Sequence, residues 1–186
     1  GVNPFFRCVN PFGCFINLEA RLLAEKGYQV KAYLFNTKGH LSADCEENKQ
    51  RLLEMKEVDF HEVTSQFVPP ALTINHVVID GLFGSGLNKP LEGGFASVVK
   101  YINASLATIV AIDVPSGLMG EENLYTPQTA IIKANLTLTL QQPKLAFLFA
   151  ENHPYVGEWE VLDIGPDLDG NNIELSANTS FNAYQT

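Results

Sequence analysis

Asp80 breaks an otherwise continuous apolar run, His76–Phe83 (HVVIDGLF), and Gly84-Ser85-Gly86-Leu87-Asn88-Lys89-Pro90 follows the run directly. A carboxylate at the end of a buried strand is costly unless it has a partner. The glycines let the backbone turn sharply and offer N–H groups to an anion. Two readings are open here: a cradle for a phosphate or diphosphate, and a tight structural turn with a capping Asp. The glycine order is not GxGxxG, so the usual dinucleotide fingerprint is not met. Asp113-Val114-Pro115-Ser116-Gly117 repeats the arrangement after a second apolar run, Ala107–Val114 (ATIVAIDV). Two acids ending neighbouring strands can face one crevice. With Ser116 and backbone carbonyls they can hold a hard cation, which prefers oxygen ligands. One acid can instead serve as a general acid/base, and both can be ordinary turn and cap carboxylates. Ser116 is not in a GxSxG elbow and has no nearby His in sequence, which argues against a serine hydrolase. A third place is Gln141-Gln142-Pro143-Lys144. Lys144 can reach a phosphate, balance a carboxylate or stand solvated.

These residues need strands to carry them. Leu18–Lys26 reads as a helix, with Leu18 and Leu22 on one face and Gly27 as a C-cap. Tyr28–Phe35 (YQVKAYLF) reads as a strand. Ser42 can N-cap a helix through about Lys56, with Asp44, Glu46 and Glu47 near its positive end. His76–Phe83 and Ala107–Val114 have the unbroken apolar character of strands buried on both faces. A helix around Ala96–Ala104 separates them. Leu136–Leu140 (LTLTL) and Trp159–Ile164 (WEVLDI) add two more strands, which can pair at one edge. The alternation implies an α/β sandwich with a largely parallel sheet. In open sheets of this kind, ligands bind beyond the carboxyl ends of the strands. The first residues have little helical or strand character and read as an arm or an abnormal first strand. Val2-Asn3-Pro4-Phe5 recurs as Val9-Asn10-Pro11-Phe12, too short for a repeat architecture. No domain boundary is evident before about Gly165. The polar tail, 166–186, reads as an extension or linker.

Composition excludes several classes. At 46% hydrophobic and 18% charged residues, the 186-residue chain is too apolar for disorder and suits one globular domain. Apolar runs such as Ala107–Ile112 are far short of the roughly 18 residues a membrane span needs. A net charge of −9 opposes nonspecific nucleic-acid binding. Cys8, Cys14 and Cys45 are odd in number with no CxxC pair, which argues against a disulfide framework and for a reduced, intracellular setting. His40, His61, His76 and His153 are scattered and form no zinc spacing. No basic-then-apolar signal segment opens the chain. The sequons at Asn103, Asn135 and Asn178 then read as chance matches.

At Asp80–Pro90 (DGLFGSGLNKP), Ala111–Leu118 (AIDVPSGL), Leu138–Phe147 (LTLQQPKLAF) and Gly157–Gly165 (GEWEVLDIG) the chain resembles the NAD(P)H-hydrate epimerase, or YjeF N-terminal domain, family. With Ala20–Asn36 (ARLLAEKGYQVKAYLFN) the likeness runs from about 20 to 165, and the combination in this order is far more specific than any one piece. The resemblance implies a Rossmann-like three-layer α/β/α fold with a mostly parallel sheet over 1–165. It implies interconversion of the R and S forms of hydrated NADH or NADPH, NADHX and NADPHX, which carry a hydroxyl at C6 of the nicotinamide ring. It further implies a potassium ion as cofactor, a homodimer, a cytoplasmic location, and a fused or separate ADP/ATP-dependent dehydratase that restores the cofactor. Carried over by motif, Asp80 and Ser116 are implied as potassium ligands. Gly84, Ser85, Gly86, Leu87, Asn88, Lys89 and Pro90 form the implied substrate-binding loop, and Asp113 is the substrate-contacting, catalytic acid.

The chain departs from the family near its first strand–helix turn. A GPGNNGGDG signature would fall on Arg7–Phe15, which reads RCVNPFGCF; only Asn10 and Gly13 match. The family's potassium-binding Asn falls on Pro11, and its acidic residue on Cys14. The helices that usually precede this turn are also absent. Three readings follow for the atypical 1–19: a nucleotide- or protein-binding module without turnover, an enzyme active with an altered loop, or a reading-frame or assignment error ahead of Ala20. The intact Asp80 and Asp113 favour the enzyme.

Overall fold

The structure, a computed structural model, describes residues 5–9, 15–37, 39–119 and 130–163. Asn10, Pro11, Gly13 and Cys14 of the departed signature lie outside the described residues, as do the tail from 164 onward and the sequon at Asn178. The strands are β1 (Phe5–Val9), β2 (Val30–Phe35), β3 (Val58–Val63), β4 (Val77–Gly81), β5 (Thr108–Ile112), β6 (Leu136–Leu140) and β7 (Glu158–Leu162). They form one seven-stranded sheet in the order β3-β2-β1-β4-β5-β6-β7, and every pairing is parallel. The helices are α1 (Phe15–Glu25), α2 (Ala43–Leu53), α3 (Gly93–Asn103) and the short α4 (His153–Val156).

Side-chain alternation sorts the helices onto two faces. Val30 and Ala32 of β2 pack with Ala20 and Ala24 of α1 and Leu52 of α2. Tyr33 and Phe35 point the other way, into a cluster with Val78, Ala111 and the α3 residues Val98, Val99 and Ile102. The result is the three-layer α/β/α architecture expected from the alternation of elements. The chain winds from β1 towards β3 on one side and jumps from β3 to β4 on the other. The order therefore reverses between β1 and β4, and in open sheets of this kind the carboxyl ends at such a reversal are where ligands bind.

Local signals explain the boundaries. Ser42 caps α2, its hydroxyl accepting the Cys45 N–H at 3.3 Å. Cys45 and Leu52, seven residues apart, are both buried on one face of that helix. α2 ends at Leu53, short of Lys56, because Met55 and Glu54 already close onto carbonyls of the last turn. Gly27, at φ +86°, terminates α1 as its position suggests.

Of the two readings of the opening residues the structure takes the abnormal first strand, and it adds one strand, β3, that the sequence does not signal. β1 (FFRCV) carries an Arg at its centre, yet it pairs with both β2 and β4 in the middle of the sheet. β3 (VDFHEV) is an edge strand whose Asp59, His61 and Glu62 face solvent or ion-pair partners, so it lacks an apolar run. The late strands do pair at one edge, β6 with β7. The sequon side chains at Asn103 and Asn135 are used internally. Asn103 donates to the Ile131 carbonyl at 2.8 Å and accepts from the Lys133 N–H at 2.9 Å, and Asn135 Oδ1 accepts from the Ile109 N–H at 2.7 Å.

Candidate functional site

The carboxyl ends of β4 and β5 carry the two acids, and they occupy different environments. Asp80, the penultimate residue of β4, is fully buried. Its Oδ1 accepts the Ser116 hydroxyl at 2.6 Å and the Leu82 N–H at 3.3 Å, and its Oδ2 accepts the Ser116 N–H at 2.7 Å. Ser116 Oγ in turn accepts the Phe83 N–H at 2.9 Å. One carboxylate and one hydroxyl thus tie the β4 and β5 exits together beneath the Gly-rich loop. Burial pushes the Asp80 carboxyl up to about 6, against the lowering effect of the Ser116 and Leu82 donors. No basic side chain among the described residues pairs with it. A buried anion with oxygen neighbours and no counter-charge is the kind of place a hard cation occupies.

Removing the hydroxyl exposes this dependence. Ser116→Ala leaves Asp80 Oδ1 without its shortest donor and orphans the Phe83 N–H. The fold is expected to lose roughly 1–3 kcal/mol, the usual cost of buried unsatisfied groups. Denaturant unfolding in potassium-free buffer measures it, and an unchanged midpoint removes the hub from the account.

Asp113 sits outside this hub, immediately after β5, with its side chain 17% exposed. Its backbone is left-handed, φ +67°, which Asp tolerates better than most residues. The Asp113 N–H continues the ladder to the Leu138 carbonyl at 2.8 Å, while Val114 N–H folds back to the Ile112 carbonyl at 2.9 Å. The carboxylate is turned to the Gly-rich loop and to the segment after β6. Oδ2 accepts the Ser85 N–H at 3.3 Å, and Oδ1 pairs with Lys144 Nζ at 2.9 Å. The absence of a side chain on Gly84 keeps the loop close: a Cβ there stands 3.4 Å from Oδ2. The two acids share no partner, so they are not a carboxylate pair.

Gly84, Ser85, Gly86, Asn88, Lys89 and Pro90 are exposed, and Leu87 is half-buried against the core. The loop turns through a Leu87 N–H to Gly84 carbonyl bond of 3.3 Å. Phe83, just before it, packs edge-to-face on Phe95 of α3. The loop is therefore anchored at its base and open at its tip, beside Asp113. The sequence leaves Lys144 to a phosphate, a carboxylate or solvent. The structure assigns it to a carboxylate, and its side chain is only 18% exposed. No cluster of three or more His, Cys, Asp or Glu suited to a metal occurs among the described residues. No helix among them is long and apolar enough to cross a membrane.

A doubly wound parallel sheet, with its polar groups gathered at the carboxyl ends beside the strand-order reversal, defines a Rossmann-like α/β protein. Comparison with known proteins narrows the class. Residues 18–146 match the family described as YjeF-related protein N-terminus, and the chain belongs to that family. It is 36% identical over 146 residues to the NAD(P)H-hydrate epimerase of Lentilactobacillus buchneri, covering 78% of this chain and 64% of that protein. It is 32% identical over 145 residues to the bifunctional NAD(P)H-hydrate repair enzyme Nnr of Thermofilum pendens, covering 76% of this chain and 27% of that protein. The chain thus spans less than two thirds of the length of these relatives. The crystal structure of yeast ynu0 shares the fold, with a TM-score of 0.66 at 17% identity over 88% of this chain and 66% of that one.

Proposed function

We propose that this chain is an NAD(P)H-hydrate epimerase that interconverts the R and S forms of NADHX and NADPHX. The observation that carries the reading is Asp113: an acid at the mouth of the crevice, gripped by the Ser85 N–H of the Gly-rich loop and by Lys144, in a chain whose relatives are named for this reaction.

The substrate's C6 bears both a nitrogen and a hydroxyl. It inverts by losing hydroxide and regaining it on the other face, or by opening and reclosing the ring. Loss of hydroxide needs a proton delivered to the departing hydroxyl and taken back as water returns, whereas ring opening needs a proton taken from the hydroxyl and delivered to the ring nitrogen. The Asp113 carboxyl exchanges that one proton, as the acid first on the first path and as the base first on the second. The loop from Gly84 to Pro90 holds the diphosphate through its backbone N–H groups, leaving the ring free to turn. Asp80 and Ser116 are the residues that would hold potassium, and their oxygen-only, singly charged set suits a monovalent ion. Bound there, potassium supplies the counter-charge that the buried Asp80 lacks. The same reading carries a separate or fused dehydratase as the consumer of the S form, a homodimer and a cytoplasmic setting.

The test is a coupled assay. R-NADHX is given to the protein with an S-specific dehydratase, and NADH is followed with and without potassium. Expected is an NADH rate above the spontaneous background that rises with potassium. A folded protein of verified mass that leaves the background unchanged returns the chain to a binding module on the same fold. A rate indifferent to potassium removes only the ion.

A further inference from the structure

We propose that Lys144 is a positioning residue, which aims the Asp113 carboxylate at the mouth of the crevice and supplies its counter-charge. The inference rests on the reading of Asp113 as the substrate-contacting acid. An ammonium has three donors, and all three of Lys144 are engaged. They go to Asp113 Oδ1 at 2.9 Å, to the Leu140 carbonyl at 3.1 Å and to the Gln142 carbonyl at 3.3 Å. None is left for a substrate phosphate.

The lysine is anchored by a turn that copies the one carrying the acid. At the exit of β5, Val114 N–H returns to the Ile112 carbonyl, with Asp113 at φ +67° between them. At the exit of β6, Gln142 N–H returns to the Leu140 carbonyl at 2.7 Å, with Gln141 at φ +64° between them. Each central residue also donates its N–H to the next strand, Asp113 to Leu138 and Gln141 to Leu162, both at 2.8 Å. These are γ-turns of the rarer, positive-φ hand. Asp113 and Gln141 are the only non-glycine residues with positive φ among the described residues. Backbone strain costs free energy and tends to persist where a site uses it. Here it lies at the acid and at the anchor of the acid's lysine, and nowhere else described.

The geometry has a consequence. The β6 turn presents the Leu140 and Gln142 carbonyls to one ammonium, so the third N–H has a single direction left, towards β5. Register Val110↔Leu136 and Ile112↔Leu138 puts the β6 turn on the neighbouring strand, two residues further along than the β5 turn, and Lys144 reaches back from it to Asp113. Lys144 on Oδ1 and the Ser85 N–H on Oδ2 then fix the carboxylate plane from both ends. The Gly-rich loop reports its position to the acid through one bond, and β6 reports through the other.

The test compares Lys144→Met and Lys144→Arg in the full chain. Misplacing a catalytic group by an ångström costs on the order of 100-fold. Lys144→Met is therefore expected to lower kcat by about 10- to 100-fold with KM little changed, and Lys144→Arg to recover part of the loss. A raised KM with kcat retained makes Lys144 a substrate ligand and overturns the proposal. So does a wild-type kcat in Lys144→Met. If that variant does not fold, Lys144→Gln, which keeps a donor and drops the charge, is read in the same way. A double-mutant cycle of unfolding midpoints with Asp113→Asn is run alongside. Non-additivity is expected, and additive midpoints overturn the proposal. The cycle needs no turnover, so an inactive wild-type protein refutes the epimerase reading while the cycle still judges the coupling of Lys144 to Asp113.

Discussion

On the proposed epimerase reading, Asp113→Asn is expected to slow R-NADHX epimerisation by about 10²- to 10⁴-fold, the range for losing a positioned general acid/base, with substrate binding still detectable. The substitution isolates charge from shape. Asn is among the few residues as content as Asp with a left-handed backbone, so φ +67° at this position is kept. What it cannot keep is two acceptor oxygens. Both carboxylate oxygens of Asp113 receive donors, Lys144 Nζ on one and the Ser85 N–H on the other. An amide nitrogen placed in either position meets a donor. The variant must therefore release the loop or the lysine, and it has no carboxylate to move a proton. Coupled NADH formation gives the rate, and ligand-induced fluorescence or thermal shift gives the binding. Unchanged turnover would remove Asp113 from the mechanism.

Gly117→Ala is expected to cost at least about 3 kcal/mol of stability, among the largest effects of any single substitution here. Gly117 has φ +97°, a region that residues with a side chain avoid. A Cβ on it would stand 2.1 Å from the Ala130 carbonyl oxygen and 2.9 Å from the Ile131 Cα. Both are backbone atoms of a buried strip, and that strip is pinned at 2.9 Å by the Ile132 N–H on the Ser116 carbonyl and at 2.8 Å by the Asn103 amide on Ile131. No side chain can swing aside to relieve the clash. Relaxation must instead move the strip or lift the Pro115–Leu118 turn, and that turn carries Ser116. Thermal unfolding measures the loss, and epimerase assays below the melting temperature should show reduced activity as the Asp80–Ser116 contact loosens. A melting temperature within a degree or two of wild type contradicts the close approach.

The buried strands and the acids at their ends were readable in one dimension. His76–Phe83 and Ala107–Val114 are largely apolar runs because a parallel strand covered on both faces buries nearly every side chain, and β4 and β5 fall inside them. A lone Asp towards the end of such a run has to be explained, and both Asp80 and Asp113 lie at the sheet's carboxyl edge. Ser42 and Gly27 mark helix ends through local hydrogen bonding and backbone freedom, which need no distant partner. For β1 the sequence leaves an arm and an abnormal first strand both open, for the opposite reason. Its five residues hold a centre position through ladders to β2 and β4, segments about 25 and 70 residues further along the chain, and no local pattern encodes such pairing.

The roles within the site divided in the same way. Sequence alone determined which residues were available: two acids, a glycine-rich loop, a serine and a lysine, each tied to the end of a recognisable strand. Only the tertiary structure decided that Asp80 turns inward to Ser116, 36 residues away, and that Asp113 turns outward to Lys144, 31 residues away. Those choices depend on strand register and on the two positive-φ turns at the exits of β5 and β6. Hydrogen bonds and ion pairs act over about 3 Å, so which carboxylate meets which donor is set by how the strands are stacked and not by their order along the chain.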